Sequence, residues 1–339
     1  MNPYVRQQVA EHTKLDRQNN STPVNWSLYL SGDSGMAQII IVTPFAVTYD
    51  GNDAEQNVIN AQSLGESIIG ASKLYTAVTH FCVFGNIPRG NYKKEFNCYA
   101  TPPVKGSYEY QMLLAAISNE WALHGDIYKE GLKYLFPRII DAIKKIWLKP
   151  SETVKVTEML IDFINEQAKR DDSLKTLLVN GLIRSNDNLA SLHGKLIDAM
   201  PQISESTRSN GRMLVTPVGN SCTSLSQFSK TGDEITISEP EAEVIRGGNE
   251  MEIEEMQNFK CKRIREVNEL NGHCILEVEG FDEFIVGKIN DPALQMPNNV
   301  YTKSLDNHTA FTISAKPVKR NGVVQKLYIS DARDNMSRT

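Results

Sequence analysis

Apolar residues recur every three or four positions in the stretch that follows a turn at 49–53. The members of this stripe are Leu64, Ile68, Ala71, Leu74, Tyr75, Val78 and Phe81. The period predicts a helix that begins at Ala61 and ends at Gly85. Gly65 and Gly70 interrupt the helix, and small residues let a backbone approach its neighbours closely. We therefore expect this helix to pack tightly against a sheet.

Alternation of apolar and polar residues predicts strands on both sides of this helix. The predicted strands are 26–31, 39–45, 96–101 and 107–114. A hairpin turn at 31–35 joins the first two strands, and a corner at Pro102-Pro103 separates the last two. Together with the helix they predict a small antiparallel sheet of about four strands.

A long amphipathic helix is predicted over 120–149, with an apolar face that includes Trp147. Its opposite face is basic, through Lys129, Lys133, Arg138, Lys144, Lys145 and Lys149. Pro137 is expected to kink this helix or to divide it in two. Further helices are predicted over 151–164, 171–184 and 187–200, so the middle of the chain is a helical region.

The pattern is weaker between 202 and 256. Polar residues at 202–211 predict irregular structure, followed by a short strand at 213–218 and a flexible loop at 219–232. The glutamate-rich run 239–255 is interpreted as a flexible acidic hinge.

The last part of the chain has a β pattern. Short strands are predicted at 259–267, 274–278, 281–289, 310–315 and 323–329. Asn-Gly dipeptides at 271–272 and 321–322 are strong signals for hairpin turns. About five or six short strands predict a small β-barrel of the SH3-like or OB-like type.

The fold class is therefore predicted to be α+β: a small antiparallel sheet with a packed helix, a helical middle region and a C-terminal small β-barrel. The predicted divisions are a polar N-terminal extension at 1–24, a sheet domain at 25–117, a helical region at 118–211, a strand and flexible acidic hinge at 212–256, and the barrel at 257–335.

Composition favours an ordinary globular protein. The net charge is −5 and charged residues make up 23%, which does not demand a basic nucleic-acid-binding surface. Five cysteines without paired spacing predict reduced thiols in a cytoplasm. The first twenty residues are polar, so no signal peptide is predicted, and no apolar run approaches the length of a transmembrane segment.

No recognisable catalytic set is found in the sequence. Gly32-Asp33-Ser34-Gly35 matches the nucleophile turn of chymotrypsin-like proteases, but a triad is defined by geometry, so a hairpin turn is favoured. Gly106-Ser107 could open a nucleotidyltransferase signature, but Glu109 lacks the second nearby carboxylate that magnesium would need. The six histidines do not pair at metal-ligand spacing. We expect a non-enzymatic protein without a metal or cofactor.

One candidate ligand or partner surface lies at the start of the strand 107–114. Ser107 and Glu109 are two residues apart and therefore point to the same side of a strand. Lys105 and Gly106 complete this candidate surface.

Three groups of residues resemble a known family. These are Ser63-Leu64-Gly65-Glu66-Ser67 with Ile69-Gly70, then Pro102-Pro103 followed by Gly106-Ser107-Tyr108-Glu109, and Lys326 to Ala332 near the end. Over residues 26–332 the chain is similar to a family of uncharacterised bacterial proteins. The resemblance implies an α/β N-terminal domain, a helical middle and a small C-terminal β-barrel. It implies no established activity, and it suggests a link to phage defence or mobile elements.

We hypothesise a cytoplasmic bacterial interaction protein that self-assembles through its helical region and acts as a sensor or adaptor in anti-phage defence. One alternative is a membrane-associating effector, for which a helix with a basic face is typical. Its candidate residues are Lys133, Arg138, Lys144, Lys145 and Trp147. The other alternative is a nucleic-acid or nucleotide binder that uses the barrel. Its candidate residues are Lys316, Lys319, Arg320, Lys326 and Tyr328.

Overall fold

The computed structural model describes residues 40–87, 96–100, 108–116, 120–172, 175, 189–229 and 233–334. The predicted extension 1–24, the strand 26–31, the hairpin turn 31–35 and the Pro102-Pro103 corner lie outside the described residues. Most of the predicted helix 171–184 does so as well.

Strands from between residues 40 and 238 form an antiparallel sheet. Its strands are β1 (Ile40–Asp50), β2 (Phe96–Ala100), β3 (Tyr108–Ala116), β4 (Ser224–Gln227) and β5 (Ile235–Ser238). Among the described residues their order is β2-β3-β1-β4-β5, with β1 paired to both β3 and β4. The sequence predicted β1, β2 and β3. The last two strands come from the far side of the helical region.

Five helices in the described residues accompany this sheet. They are α1 (Ala61–Phe84), α2 (Glu120–Leu148), α3 (Thr153–Ala168), α4 (Leu189–Leu214) and α5 (Glu239–Gly247). Short 3-10 turns occupy Asn52–Gln56 and Pro150–Glu152. The ends of α1 are confirmed: the Asn60 side chain accepts a hydrogen bond from Ser63 N at 3.1 Å, and Gly85 ends the helix with φ at 65°. Helix α2 runs through Pro137 as one element, so the predicted division does not occur.

Four buried aromatic rings join the sheet to its helices. Phe45 of β1 stacks on Phe136 of α2 with ring centroids 4.6 Å apart. Tyr75 of α1 and Phe228 after β4 both meet Phe45 edge-on, with ring centroids 5.5 and 5.1 Å away. These rings fix α1 and α2 on the same face of the sheet, with the hydrophobic core between them.

Helices α1 and α4 pack unusually closely. A Cβ added to Gly70 would lie 2.4 Å from Leu214 N and 2.6 Å from Asn210 O, so only glycine fits. Beside this contact Tyr49 OH donates to Ser67 Oγ at 2.7 Å, and Ser67 Oγ donates to Leu214 O. The prediction that small residues in α1 serve a close approach is confirmed at Gly70, but the partner is helix α4.

The structure corrects the assignments made for 202–218. Helix α4 continues past Pro201 through the polar run and ends at Leu214, where a strand was expected. The buried side of this segment includes Ser204, Thr207 and Arg208, and such polar residues hide a helical period.

The flexible acidic hinge expected within 212–256 is also not what the structure contains. Strands β4 and β5 extend the first sheet, and the glutamate-rich run forms helix α5. A capping box at Ser238 and Glu241 begins this helix. Its residues Ala242, Val244 and Ile245 are buried in the core that the first sheet shares with its helices. Burial of these residues fixes the segment in place. We call the first sheet and its helices the sheet unit.

The C-terminal part is a small closed β-barrel, as predicted. Its strands are β7 (Gln257–Val267), β8 (His273–Val278), β9 (Ile285–Ile289), β10 (Phe311–Arg320) and β11 (Val323–Asp334). A short strand β6 (Met251–Ile253) pairs with β10 from outside. A 3-10 turn at Pro292–Gln295 and helix α6 (Val300–Asn307) connect β9 to β10.

The connectivity of this barrel is of the OB type. The strands close in the order β7-β8-β9-β11-β10, with β10 returning to β7 and a parallel pairing between β9 and β11. The predicted turn at 321–322 is confirmed, because Asn321 and Gly322 both have positive φ values of 50° and 80°. Buried residues such as Tyr301, Phe311 and Leu327 form a separate core inside the barrel.

Candidate nucleic-acid interface

The outer side of strands β7 to β9 carries exposed cations beside exposed apolar side chains. We call it the β7–β9 face, and its members are Lys262, Arg263, Arg265, Glu277, Phe284 and Val286. The side chain of Phe284 is 49% exposed and that of Val286 is 39% exposed. The ring of Phe284 lies next to positive charge, because the guanidinium of Arg265 is close to it.

Two β-bulges in β7 bring the cations together. Cys261 pairs with Val278 of β8 and Arg263 with the adjacent Glu277, so Lys262 is an extra residue in the ladder. A second irregularity between Ile264 and Glu266 makes Arg265 an extra residue as well. In a regular strand, consecutive residues such as Lys262 and Arg263 would point to opposite sides of the sheet. Because bulges change the direction of side chains, Lys262, Arg263 and Arg265 can all lie near the same carboxylate.

These three cations converge on one carboxylate. Arg263 Nε lies 3.0 Å from Glu277 Oε2, Arg265 Nη2 lies 3.9 Å from the same oxygen, and Lys262 Nζ lies 3.7 Å from Oε1. The hydrogen bond from Arg263, with the charges of all three cations, lowers the pKa of Glu277. Cations outnumber the carboxylate three to one in this group, which leaves two positive charges unbalanced within it. Exposed acids at Glu279, Asp282 and Glu283 flank the group between β8 and Phe284.

Phe284 supplies a flat apolar surface at the edge of the charged group. The guanidinium of Arg265 lies over its ring, with Cζ 3.9 Å from the centroid. Val286 continues this surface along β9, opposite Ile275 of β8 in the ladder. The face therefore combines π-surface with cations, the pairing that single-stranded nucleic acids require.

A neighbouring part of the barrel surface is covered by helix α5. Lys288 Nζ of β9 donates to both carboxylate oxygens of Glu239 at 2.6 Å. On β11, Lys326 Nζ donates to Glu243 at 2.9 Å and the Tyr328 hydroxyl donates to the same carboxylate. Burial, with Glu243 next in importance, raises the pKa of Tyr328.

This cover includes much of the nucleic-acid surface predicted from the sequence. Lys326 and Tyr328 contact α5, and Lys319 pairs with Glu254 just after β6. Lys316 is half-buried opposite Tyr328 in the ladder, while Arg320 is exposed beside the last hairpin. The predicted residues are thus mainly part of the contact between the barrel and the sheet unit.

The predicted membrane or partner surface of α2 is largely engaged inside the fold. Trp147 is buried and its Nε1 donates to Ser204 O at 2.8 Å. Lys144 pairs with Glu241 of α5 at 2.8 Å. Arg138 pairs with Asp233 and lies over the Phe163 ring.

Two other cations of this predicted surface, Lys133 and Lys145, are exposed, and Lys145 is paired to Asp141.

Membrane contact through α2 would require Trp147 and Lys144 to leave these partners. No helix in the described ranges is both long enough and apolar enough to cross a bilayer.

Of the candidate surface formed by Lys105, Gly106, Ser107 and Glu109, only Glu109 lies within the described residues. Lys105, Gly106 and Ser107 lie outside the described residues. Glu109 is buried in β3, opposite Thr48 of β1. It belongs to the sheet and is not brought to the β7–β9 face.

The residues of the β7–β9 face were not singled out in the sequence. The run Lys260-Cys261-Lys262-Arg263-Ile264-Arg265 holds four cations in six positions, and this density was the available signal. Alternation alone would have divided these cations between two sides of the strand, and bulges are not readable from alternation.

Comparisons with known proteins place the chain by family. The family described as "Domain of unknown function (DUF7946)" matches residues 45–246. The family described as "Family of unknown function (DUF7947)" matches residues 255–333, which is the barrel. No curated protein and no solved structure matches the chain. Because the first match spans more than half of the sequence, the protein belongs to the DUF7946 family.

Proposed function

We propose that this protein is a non-enzymatic binding protein that holds single-stranded nucleic acid on the β7–β9 face. The observation that carries the proposal is the convergence of Lys262, Arg263 and Arg265 around Glu277, beside the exposed ring of Phe284. Phosphates would meet the surplus of cations, and an unpaired base would stack on Phe284.

Single strands fit this face better than duplexes. The bases of a duplex are already stacked within it, so Phe284 and Val286 would find no exposed base plane to cover. An unpaired strand offers a base plane and a phosphate from the same nucleotide. The face supplies an aromatic ring for the base and cations for the phosphate next to one another.

We expect the full chain to bind fluorescein-labelled single-stranded DNA or RNA of about twelve nucleotides, within the length that one OB fold covers. The affinity should fall with salt, because each phosphate contact contributes about 0.7 to the slope of log K against log salt for single strands. The Arg263→Ala/Arg265→Ala variant should reduce that slope by about 1 to 1.5. Phe284→Ala should weaken binding by about 5- to 150-fold, the range for one lost base stack. Fluorescence anisotropy over a salt series measures both effects.

Lys303→Ala is the matched control, because Lys303 is an exposed cation on α6 of the same barrel and lies outside the face. It should change neither the affinity nor the slope. If Lys316→Ala and Arg320→Ala weaken binding more than the arginine pair does, the site belongs at the last hairpin. Absence of any salt-dependent binding by the wild type would reject the nucleic-acid proposal altogether.

We further propose that the protein works in the bacterial cytoplasm as a self-associating sensor or adaptor in anti-phage defence. The sequence resemblance supports this setting, and the buried, unpaired thiols of Cys82, Cys222 and Cys261 suit a reducing compartment. Bacteria that carry the gene should show fewer phage plaques than bacteria that carry the Arg263→Ala/Arg265→Ala variant. Light scattering should give the mass of an oligomer. Equal plaque counts for both strains would contradict the defence role, and a monomer mass would contradict self-association.

A further inference from the structure

A groove of about 440 Å³ runs between strand β2 and the two closely packed helices α1 and α4. Ser72, Lys73 and Thr76 of α1 form one wall, and Ser206 and Asn210 of α4 extend it. The four consecutive residues 96–99 of β2 form the other wall. Consecutive strand residues point to opposite sides of a sheet, so a groove that touches all four follows the edge of the strand.

This edge of β2 is free of other strands in the part of the chain that the structure describes. β2 pairs with β3 over its whole length, from Phe96 opposite Ala116 to Ala100 opposite Met112. Its second edge carries backbone N–H and C=O groups that no other described strand meets. Such an edge is a template for one more strand, and a neighbouring helix gives the added strand a wall for its side chains.

The side chains of the groove indicate what it would hold. Its lining is mostly neutral and polar, and Lys73 is the single charged residue among the lining residues. Lys73 is exposed and has no ion-pair partner within the described ranges. Cys98 is an unreactive member of the wall: burial raises the pKa of its thiol to about 12, so it stays protonated.

We propose that this groove binds an extended peptide segment of a protein partner, which adds as a strand to the free edge of β2 and sets an acidic side chain against Lys73. The backbone ladder would supply affinity, and the contact with Lys73 would supply specificity. A nucleic acid is disfavoured here because a single cation cannot neutralise a run of phosphates. This site shares no residue with the β7–β9 face and does not depend on the function proposed for that face.

A display library of random peptides about ten residues long, twice the length of β2, tests the charge of the partner. Selection on the wild-type chain should enrich peptides in which β-branched residues alternate and one acidic residue holds a fixed place. Selection on Lys73→Glu should replace that acid by lysine or arginine. Lys73 is exposed, so this variant should keep the far-UV circular dichroism spectrum of the wild type.

An N-methyl scan of one enriched peptide tests the strand geometry. Methylation of every second backbone nitrogen should weaken binding about 5- to 10-fold, the loss of one hydrogen bond to β2. Methylation of the intervening nitrogens, which point away from β2, should change little. The proposal is overturned if no sequence is enriched, if Lys73→Glu selects the same peptides, or if the scan shows no alternation.

Discussion

Replacement of Phe136 by alanine should lower the free energy of unfolding by about 3–5 kcal/mol, the usual range for truncating a buried phenylalanine. Phe136 is fully buried and lies where four elements meet. Its ring stacks on Phe45 at 4.6 Å and meets the rings of Tyr75 and Phe228 at 5.5 and 5.8 Å. These neighbours belong to β1, α1 and the segment after β4, which cannot all move to fill the cavity.

Urea unfolding of the full chain, followed by tryptophan fluorescence, measures this effect. Of the three tryptophans, Trp121 and Trp147 lie in α2 and Trp26 lies outside the described residues. The barrel contains no tryptophan, so the signal does not come from the barrel. Tyr134→Ala is the matched control on the same helix, because Tyr134 is exposed and its loss should change the free energy by no more than about 0.5 kcal/mol. If Phe136→Ala instead leaves stability unchanged and abolishes flotation with anionic liposomes, α2 is a membrane-binding helix.

Helix α4 shows where the hydrophobic period stops being informative. Its second half was predicted as irregular and then as a strand, because Ser204, Thr207 and Gly211 interrupt the apolar pattern. In the structure these residues are the buried side of the helix. Trp147 lies against Gly211, where an added Cβ would come within 2.5 Å of the indole ring. Close packing selects small and polar residues here, and that preference depends on a partner helix that is remote in sequence.

Helix α5 was within reach of sequence reasoning. Ser238 and Glu241 have the spacing of a capping box, and Pro240 occupies the first turn, where proline is favoured. The density of glutamates concealed this signal and led to the interpretation as a hinge. The sequence could not indicate that Glu239 and Glu243 face lysines of the barrel, because their partners lie 49 and 83 residues further on.

The barrel was predicted well because its signals are local. Alternation and the Asn-Gly turns specify strands and hairpins without reference to the rest of the chain. The candidate site was not predicted, because it depends on two bulges and on which side of the barrel α5 covers. Both are consequences of register and packing, which no short motif encodes.

Replacement of Glu239 by alanine should lower the free energy of unfolding by about 3 kcal/mol, the low end of the range for breaking a buried ion pair. Glu239 is buried at the start of α5, and both its oxygens accept from Lys288 at 2.6 Å. The variant would leave Lys288 without its partner. The expected loss is at the low end because the side chain of Lys288 keeps 19% of its surface in water.

A double-mutant cycle identifies the cause of that loss. Glu239→Ala combined with Lys288→Met removes both charges, and should recover most of the stability because no buried cation remains unpaired. The matched control is Asp141→Ala, which breaks the exposed pair with Lys145 and should cost about 0.5 kcal/mol or less. Urea unfolding by circular dichroism follows all variants. If the double variant is as unstable as Glu239→Ala, the loss comes from helix α5 itself, since an acid at a helix N-terminus also stabilises the helix. Recovery would instead establish the ion pair as the link between the barrel and the sheet unit.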